Sequence, residues 1–319
     1  MRVSEGTARV IGLSKIRLDA FPTTAYIMVG EKCRRGCSFC TQSIRSDSRR
    51  DYLSRVTWPE FDDDSVAAGI ARAYGEGSLK RACLQVVDSK EGMAAVQEVL
   101  KKLKAANDIP VNASVYITSI EEADELFELG VDTISLPIDV ASKELYSDIK
   151  GGSLDRLLDI IYGLAEKYPG RINTHLIAGL GETEQEMIKL IYDLHRHGVS
   201  VALFAFTPVR GTPMEGRGQP HIGSYRRVQI SRYLLVNGLA SFDDFVFKDG
   251  VLVDIKGKKE IMELLKDGKA FMTSGCPDCN RPYYNERPGG TMYNYPRPLT
   301  KDEALEAICE SGLFEVDMR

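Results

Sequence analysis

The sequence predicts an α/β fold, a TIM-like (β/α) barrel of six to eight units with a C-terminal extension. Three observations carry this. Short apolar runs alternate with amphipathic stretches of about 10–15 residues, which implies parallel βαβ units. Six such units are visible by residue 206. The length of 319 residues suits one barrel with extensions.

The elements follow in order. TTAYIMVG at 23–30 reads as a buried strand, and a cysteine-rich loop follows it at once. Residues 63–74 read as a helix and RACLQVV at 81–87 as a strand. Val96, Val99, Leu100 and Leu103 form one apolar stripe, which predicts a helix over 93–105. A strand is expected at 111–117. Ser119 and Glu122 then spell a capping box opening a helix that stops at Gly130. Strand 131–138, a helix capped by Ser153 and running to Tyr168, and strand 171–178 come next. Thr183 and Glu186 spell a second capping box, for a helix ending near His197 and Gly198. Residues 199–206 read as the sixth strand. Beyond it the pattern loosens: a helix at 224–236, a hairpin at 245–253 around Asp249-Gly250, a helix at 258–265 and a late strand at 269–273. Three regions are expected: an N-terminal segment 1–22, a barrel core 23–220, and a region 221–319 that completes the barrel and carries a second cysteine motif.

Composition excludes several classes. Lys+Arg 41 against Asp+Glu 46 gives a net charge of −5, so no global basic field supports nucleic-acid binding. No apolar run approaches a membrane span, and the N-terminus lacks a signal-peptide core. Seven cysteines, odd in number and clustered, favour metal ligation in a reducing, cytoplasmic setting over disulfides.

The chemistry concentrates in Cys33-Arg-Arg-Gly-Cys37-Ser-Phe-Cys40. Three thiolates can hold three irons of a four-iron cluster and leave the fourth iron open; a closed cluster would want a fourth cysteine nearby. An open metal position is where chemistry takes place. A structural zinc knuckle is the bland alternative, although zinc sites usually pair cysteines as Cys-x2-Cys. The run, with Phe39 before its last cysteine, resembles the signature of the radical S-adenosylmethionine (SAM) enzymes. The resemblance implies that SAM chelates the open iron of a 4Fe-4S cluster and is split by one electron into a 5′-deoxyadenosyl radical. It also implies a cluster at the loop after the first strand, where barrel active sites lie.

Other segments resemble SAM-binding positions of that family. His175-Leu-Ile177-Ala-Gly179-Leu-Gly181-Glu182 matches a Gly-x-Ile-x-Gly-x-x-Glu segment at Ile177, Gly179 and Glu182, with His175 in place of the first glycine. Asp139, at a strand end, is a ribose-binding candidate or a helix cap; its setting resembles biotin synthase, with Pro137 in place of an Asn. The usual Gly-Gly-Glu that binds the SAM amino group is absent, and Asp88 or Ser89 stands in its place. Arg210 is a candidate for the SAM carboxylate or a structural residue. Tyr26 reaches under the cluster loop or serves the core.

A second constellation is Cys276-Pro-Asp-Cys279, followed by Asn-Arg-Pro-Tyr-Tyr-Asn-Glu. It reads as an auxiliary 4Fe-4S cluster, half a zinc site or a redox pair. Cys83, mid-strand, is the candidate third ligand or a small buried hydrophobe. Biotin synthase's other two auxiliary cysteines are replaced by Ser114 and Thr174. Cys309 reads as core. Together with Val3-Ser4-x-Gly6-Thr7-Ala8 and Thr24-Ala25-Tyr26, this block resembles the two-component lipoyl synthases of archaea and some bacteria. That implies sulfur insertion into an octanoyl chain on a lipoyl carrier protein, with the auxiliary cluster as sulfur donor. The implied partners are the carrier, a homologous second synthase subunit and an electron donor such as ferredoxin. Phe204, Phe206 and Val209 would line an apolar channel. Arg45, Arg49, Arg50 and Arg55 would meet an acidic carrier, or form an ordinary solvated face.

Overall fold

A computed structural model describes residues 1–286 and 289–315. Six parallel strands run in chain order: β1 Thr24–Val29, β2 Arg81–Val86, β3 Val111–Ser114, β4 Thr133–Ser135, β5 Ile172–Ala178 and β6 Ser200–Ala205. A two-residue strand, Arg2–Val3, adds antiparallel to β1 and makes the sheet seven-stranded. Every residue of β1 is buried. This is expected of a parallel strand covered on both faces, and explains its unbroken apolar run.

The crossover helices follow the predicted stripes. Helix Gly92–Ala106 buries Val96, Leu100 and Leu103. Ser153 caps Leu154–Lys167 by accepting from the Arg156 N–H. Thr183 and Glu186 form their full capping box at the start of Glu184–Arg196. At Ser119 the box does not form: no side-chain cap bond is made, and Glu122 accepts from Thr118 N and Oγ1 instead. The short helix Lys143–Ile149 has too few turns to show a period in the sequence.

The predicted completion of the barrel by residues 221–319 is not seen as strands. Residues 269–271 form a 3-10 turn, and Met272 makes only an isolated bridge to Tyr295. The hairpin Phe245–Lys248 and Val251–Ile255 is a separate two-stranded sheet. Among the described residues no ladder joins β6 back to the β1 side, so the main sheet is open by hydrogen bonding. A C-terminal loop, residues 274–285, spans the gap. Ser274 Oγ accepts from Leu203 N at 2.9 Å and Asn285 Oδ1 from Ala205 N at 3.3 Å, which satisfies edge groups of β6. At its other side Asn280 Oδ1 accepts from Thr23 N at 3.0 Å, beside β1.

Candidate active site

Side chains from all six parallel strands face one cavity of about 260 Å³, so the sheet is concave around it. Ladder register sets one row of its wall: Tyr26 on β1 pairs with Cys83 on β2, which pairs with Asn112 on β3. Ser135, His175 and Phe204 continue the wall on β4, β5 and β6.

The loop after β1 brings Cys33, Cys37 and Cys40, all free thiols, to this cavity, and Phe39 lines it with them. The loop is held by backbone bonds: Arg34 N donates to Asp88 O at 2.8 Å and Ser38 N to Ile149 O at 2.7 Å. Burial pushes the Cys37 thiol up to about 11 and the Cys40 thiol up to about 12, and for Cys40 the neighbouring Cys37 adds to burial.

A second group of thiols faces the same space. Cys83, Cys276 and Cys279 all line the cavity. Burial first, then Cys276 and Cys279, pushes Cys83 up to about 12. Cys83 Sγ accepts from Gln85 Nε2 at 3.1 Å and Asn112 Nδ2 at 3.2 Å. The Tyr26 hydroxyl lies 3.3 Å from Cys279 Sγ and accepts from Arg281 N at 3.2 Å. Arg281 lies over the Phe204 ring at 4.0 Å, with Nη2 donating to Ser274 O at 2.7 Å. Cys309 is exposed on helix Lys301–Glu310, away from both groups; the expectation that it belongs to the core fails because its stripe is filled by Ala304, Ala307 and Ile308.

Among the described residues no three His, Cys, Asp or Glu side chains converge to share a single metal ion. Thiols spread around a cavity wall suit a multi-iron body, whose irons each take their own thiolate, better than a tetrahedral zinc ion.

Asp139, Ile177 and Asp88 line the cavity. Asp139 adopts φ 63° and is buried, with Lys150 Nζ donating to its Oδ2 at 2.5 Å and His175 Nε2 3.0 Å from its Oδ1. Burial alone would raise its carboxyl, but Lys150 and His175 outweigh burial and hold it well below the usual range. Asp88 is paired with Arg34 at 2.6 Å. Four other candidates are not brought to the cavity wall. Ser89 is packed behind it, its Oγ buried without a partner. Gly179 adopts φ +102° against Pro220, and its N–H, with that of Leu180, donates to the Glu182 carboxylate at 2.7 and 2.9 Å. Glu182 therefore braces the β5-to-helix turn. Arg210 is exposed, its carbonyl accepting from Ser48 Oγ at 2.5 Å. Phe204 and Phe206 line the cavity and Val209 does not. Sequence reasoning missed Lys150 and Asn112: a lone lysine before Gly151-Gly152, and an asparagine inside a strand, carry no periodic signal.

The radical SAM superfamily pattern matches residues 27–194, from β1 through the helix after β5, including the cysteine loop. This chain belongs to that superfamily. Radical SAM membership implies a 4Fe-4S cluster and SAM. The chain is 29% identical over 197 residues to a biotin synthase of Cutibacterium acnes, covering 60% of this chain and 52% of that protein. It is 28% identical over 197 residues to a biotin synthase of Campylobacter hominis, covering 58% and 56%. An uncharacterized protein of Methanocaldococcus jannaschii is 27% identical over 208 residues, covering 63% and 53%. The chain thus spans about half the length of the curated relatives it matches. Among solved structures, methylornithine synthase superposes with a TM-score of 0.52 at 18% identity, over 67% of this chain and 62% of that one. The FeFe-hydrogenase maturase of Carboxydothermus hydrogenoformans gives 0.54 at 15%, over 67% and 51%. These two likenesses speak to the fold alone. Among the described residues no helix is long and apolar enough to cross a membrane.

Proposed function

We propose that this radical SAM enzyme inserts sulfur into a protein-bound octanoyl chain, as one subunit of a two-protein lipoyl synthase. The observation that carries the reading is the meeting of two thiol groups, Cys33/Cys37/Cys40 and Cys83/Cys276/Cys279, on one cavity. The first would hold the SAM-binding 4Fe-4S cluster and the second an auxiliary 4Fe-4S cluster. Bound there, the first cluster would supply the electron that splits SAM into a 5′-deoxyadenosyl radical, and the second would supply sulfur.

The chain's own residues set the conditions. Unactivated carbons have no acidic proton, so no side chain here can act on them as a general base. The chain must instead seat the alkyl group between the two thiol groups. Phe204 and Tyr284, with ring centroids 5.7 Å apart, give an apolar wall for it. Phe39 and Ile177 offer apolar contacts to SAM. Asp139, fixed by Lys150 and His175, presents a rigid anion to its polar groups. Arg281 places a buried positive charge beside Cys279 and Cys276, offsetting thiolate charge.

The test is anaerobic incubation of the iron-loaded chain with an octanoylated carrier peptide, SAM and a reductant, read by mass spectrometry. One added sulfur, lost in Cys276→Ala, is the expected result. Sulfur added only to dethiobiotin would favour the biotin-synthase-like reading that the named relatives suggest.

A further inference from the structure

The cysteine loop has an outer face as well as an inner one. Behind it lies a hollow of about 300 Å³, lined by Arg34, Arg35 and Arg45 on the loop side and by Asp148, Gly151 and Gly152 opposite. Arg35 and Lys150 line both this hollow and the inner cavity, so the wall between them is a single layer of residues. Arg35 is fixed there, its guanidinium 3.8 Å from the Tyr116 ring centroid. Beside the hollow, Ile44 is 57% exposed, held by its N–H bond to Arg35 O at 2.9 Å. Residues 31–50 carry six basic and two acidic side chains, in a chain of net charge −5.

An exposed apolar residue beside a basic surface is how protein interfaces with an acidic partner are built; here Arg34 also pairs with Asp88 at 2.6 Å. The position selects the partner. A substrate must enter the cavity to be attacked, and this hollow is walled off from it. An electron need only cross the wall, and tunnelling weakens steeply with distance. We propose that Arg34, Arg45 and Ile44 form the docking surface for an acidic one-electron carrier protein, which reduces the cluster held by Cys33, Cys37 and Cys40 through the Arg35–Lys150 wall. The carrier is oxidised by one electron and the cluster reduced by one. This uses the radical SAM chemistry and is independent of the octanoyl substrate.

The probe is ferredoxin. Binding of oxidised ferredoxin to the chain is measured by titration calorimetry at low and high salt. Formation of 5′-deoxyadenosine is measured with reduced ferredoxin and, separately, with dithionite. In Ile44→Glu/Arg45→Glu, ferredoxin binding and ferredoxin-driven cleavage are expected to fall about tenfold or more, the range of lost steering and a lost interface anchor. Dithionite-driven cleavage is expected to stay near the wild-type rate. Wild-type binding should weaken as salt shortens the Debye length. Unchanged ferredoxin binding, or an equal fall with dithionite, overturns the proposal. So does a variant that keeps ferredoxin-driven cleavage but loses thiolation of the octanoylated carrier, because the surface would then belong to the carrier.

Discussion

Cys83 stands in mid-strand between Tyr26 and Asn112, and each of its neighbours also contacts a residue of the C-terminal loop. A sulfur so placed is worth testing alone. Two four-iron clusters would give about eight irons per reconstituted chain. Cys83→Ala is expected to retain about four, with reductive SAM cleavage preserved, whereas Cys40→Ala abolishes cleavage. Iron that stays near the wild-type content in Cys83→Ala refutes Cys83 as a ligand of the second site. Lys150 offers a test of electrostatics. Lys150→Met would leave the Asp139 carboxylate buried with His175 as its remaining side-chain partner, costing about 3–5 kcal/mol in urea unfolding of the iron-free chain; a loss below about 1 kcal/mol would show that water reaches the pair. The cysteines were legible because thiol spacing is written locally. The Asp139–Lys150 pair was not, since it depends on Lys143–Ile149 folding back over the end of β4.

At the level of elements, the sequence marked each parallel strand and every crossover helix but the short Lys143–Ile149, because burial imposes a period on the longer ones. It overran β3 and β4, which end at Ser114 and Ser135 although apolar residues continue. There the chain turns to line the cavity with Val115 and Pro137 instead of extending the ladder. Residues 269–273 misled for the related reason that an apolar segment between loops looks like a strand until its pairing partner is known. Loop 274–285 has no period, and its path is set by single contacts. Gly275 is one of these: it adopts φ +120°, and a Cβ there would meet the Ala202 Cβ at 2.7 Å. Gly275→Ala should therefore push Cys276 off β6 and lower iron from about eight to about four, leaving SAM cleavage in place. Unchanged iron would mean that the loop can shift without losing the site.

Across the whole molecule, titration couples the site to the fold. In the folded chain burial raises Cys37 to about 11, Cys40 to about 12 and Cys83 to about 12, and burial raises Tyr26 and Tyr284 as well. An unfolded cysteine titrates near about 8.5. The native state thus holds these protons more tightly, so their stabilisation is complete below the unfolded value and is lost as pH rises through the folded ones. The urea midpoint of the reduced, iron-free chain should stay level around pH 7–8 and drop between about pH 9 and pH 11. A flat alkaline profile would contradict the burial of these thiols. If these thiols hold iron as proposed, loading would displace the same protons, so uptake should improve with pH over the neutral range.

The contact between Tyr26 and Cys279 joins residues 253 positions apart. During synthesis the strand carrying Tyr26 is made well before its partner loop, 253 positions later. The second group of thiols therefore cannot assemble until residues 276–279 have been made, whereas Cys33, Cys37 and Cys40 lie within eight residues of one another. On the proposed reading, iron delivered before that loop is made would find only the first site. Under the proposed function, loading of the second would have to wait until Cys276 and Cys279 have been made and the loop has reached Tyr26.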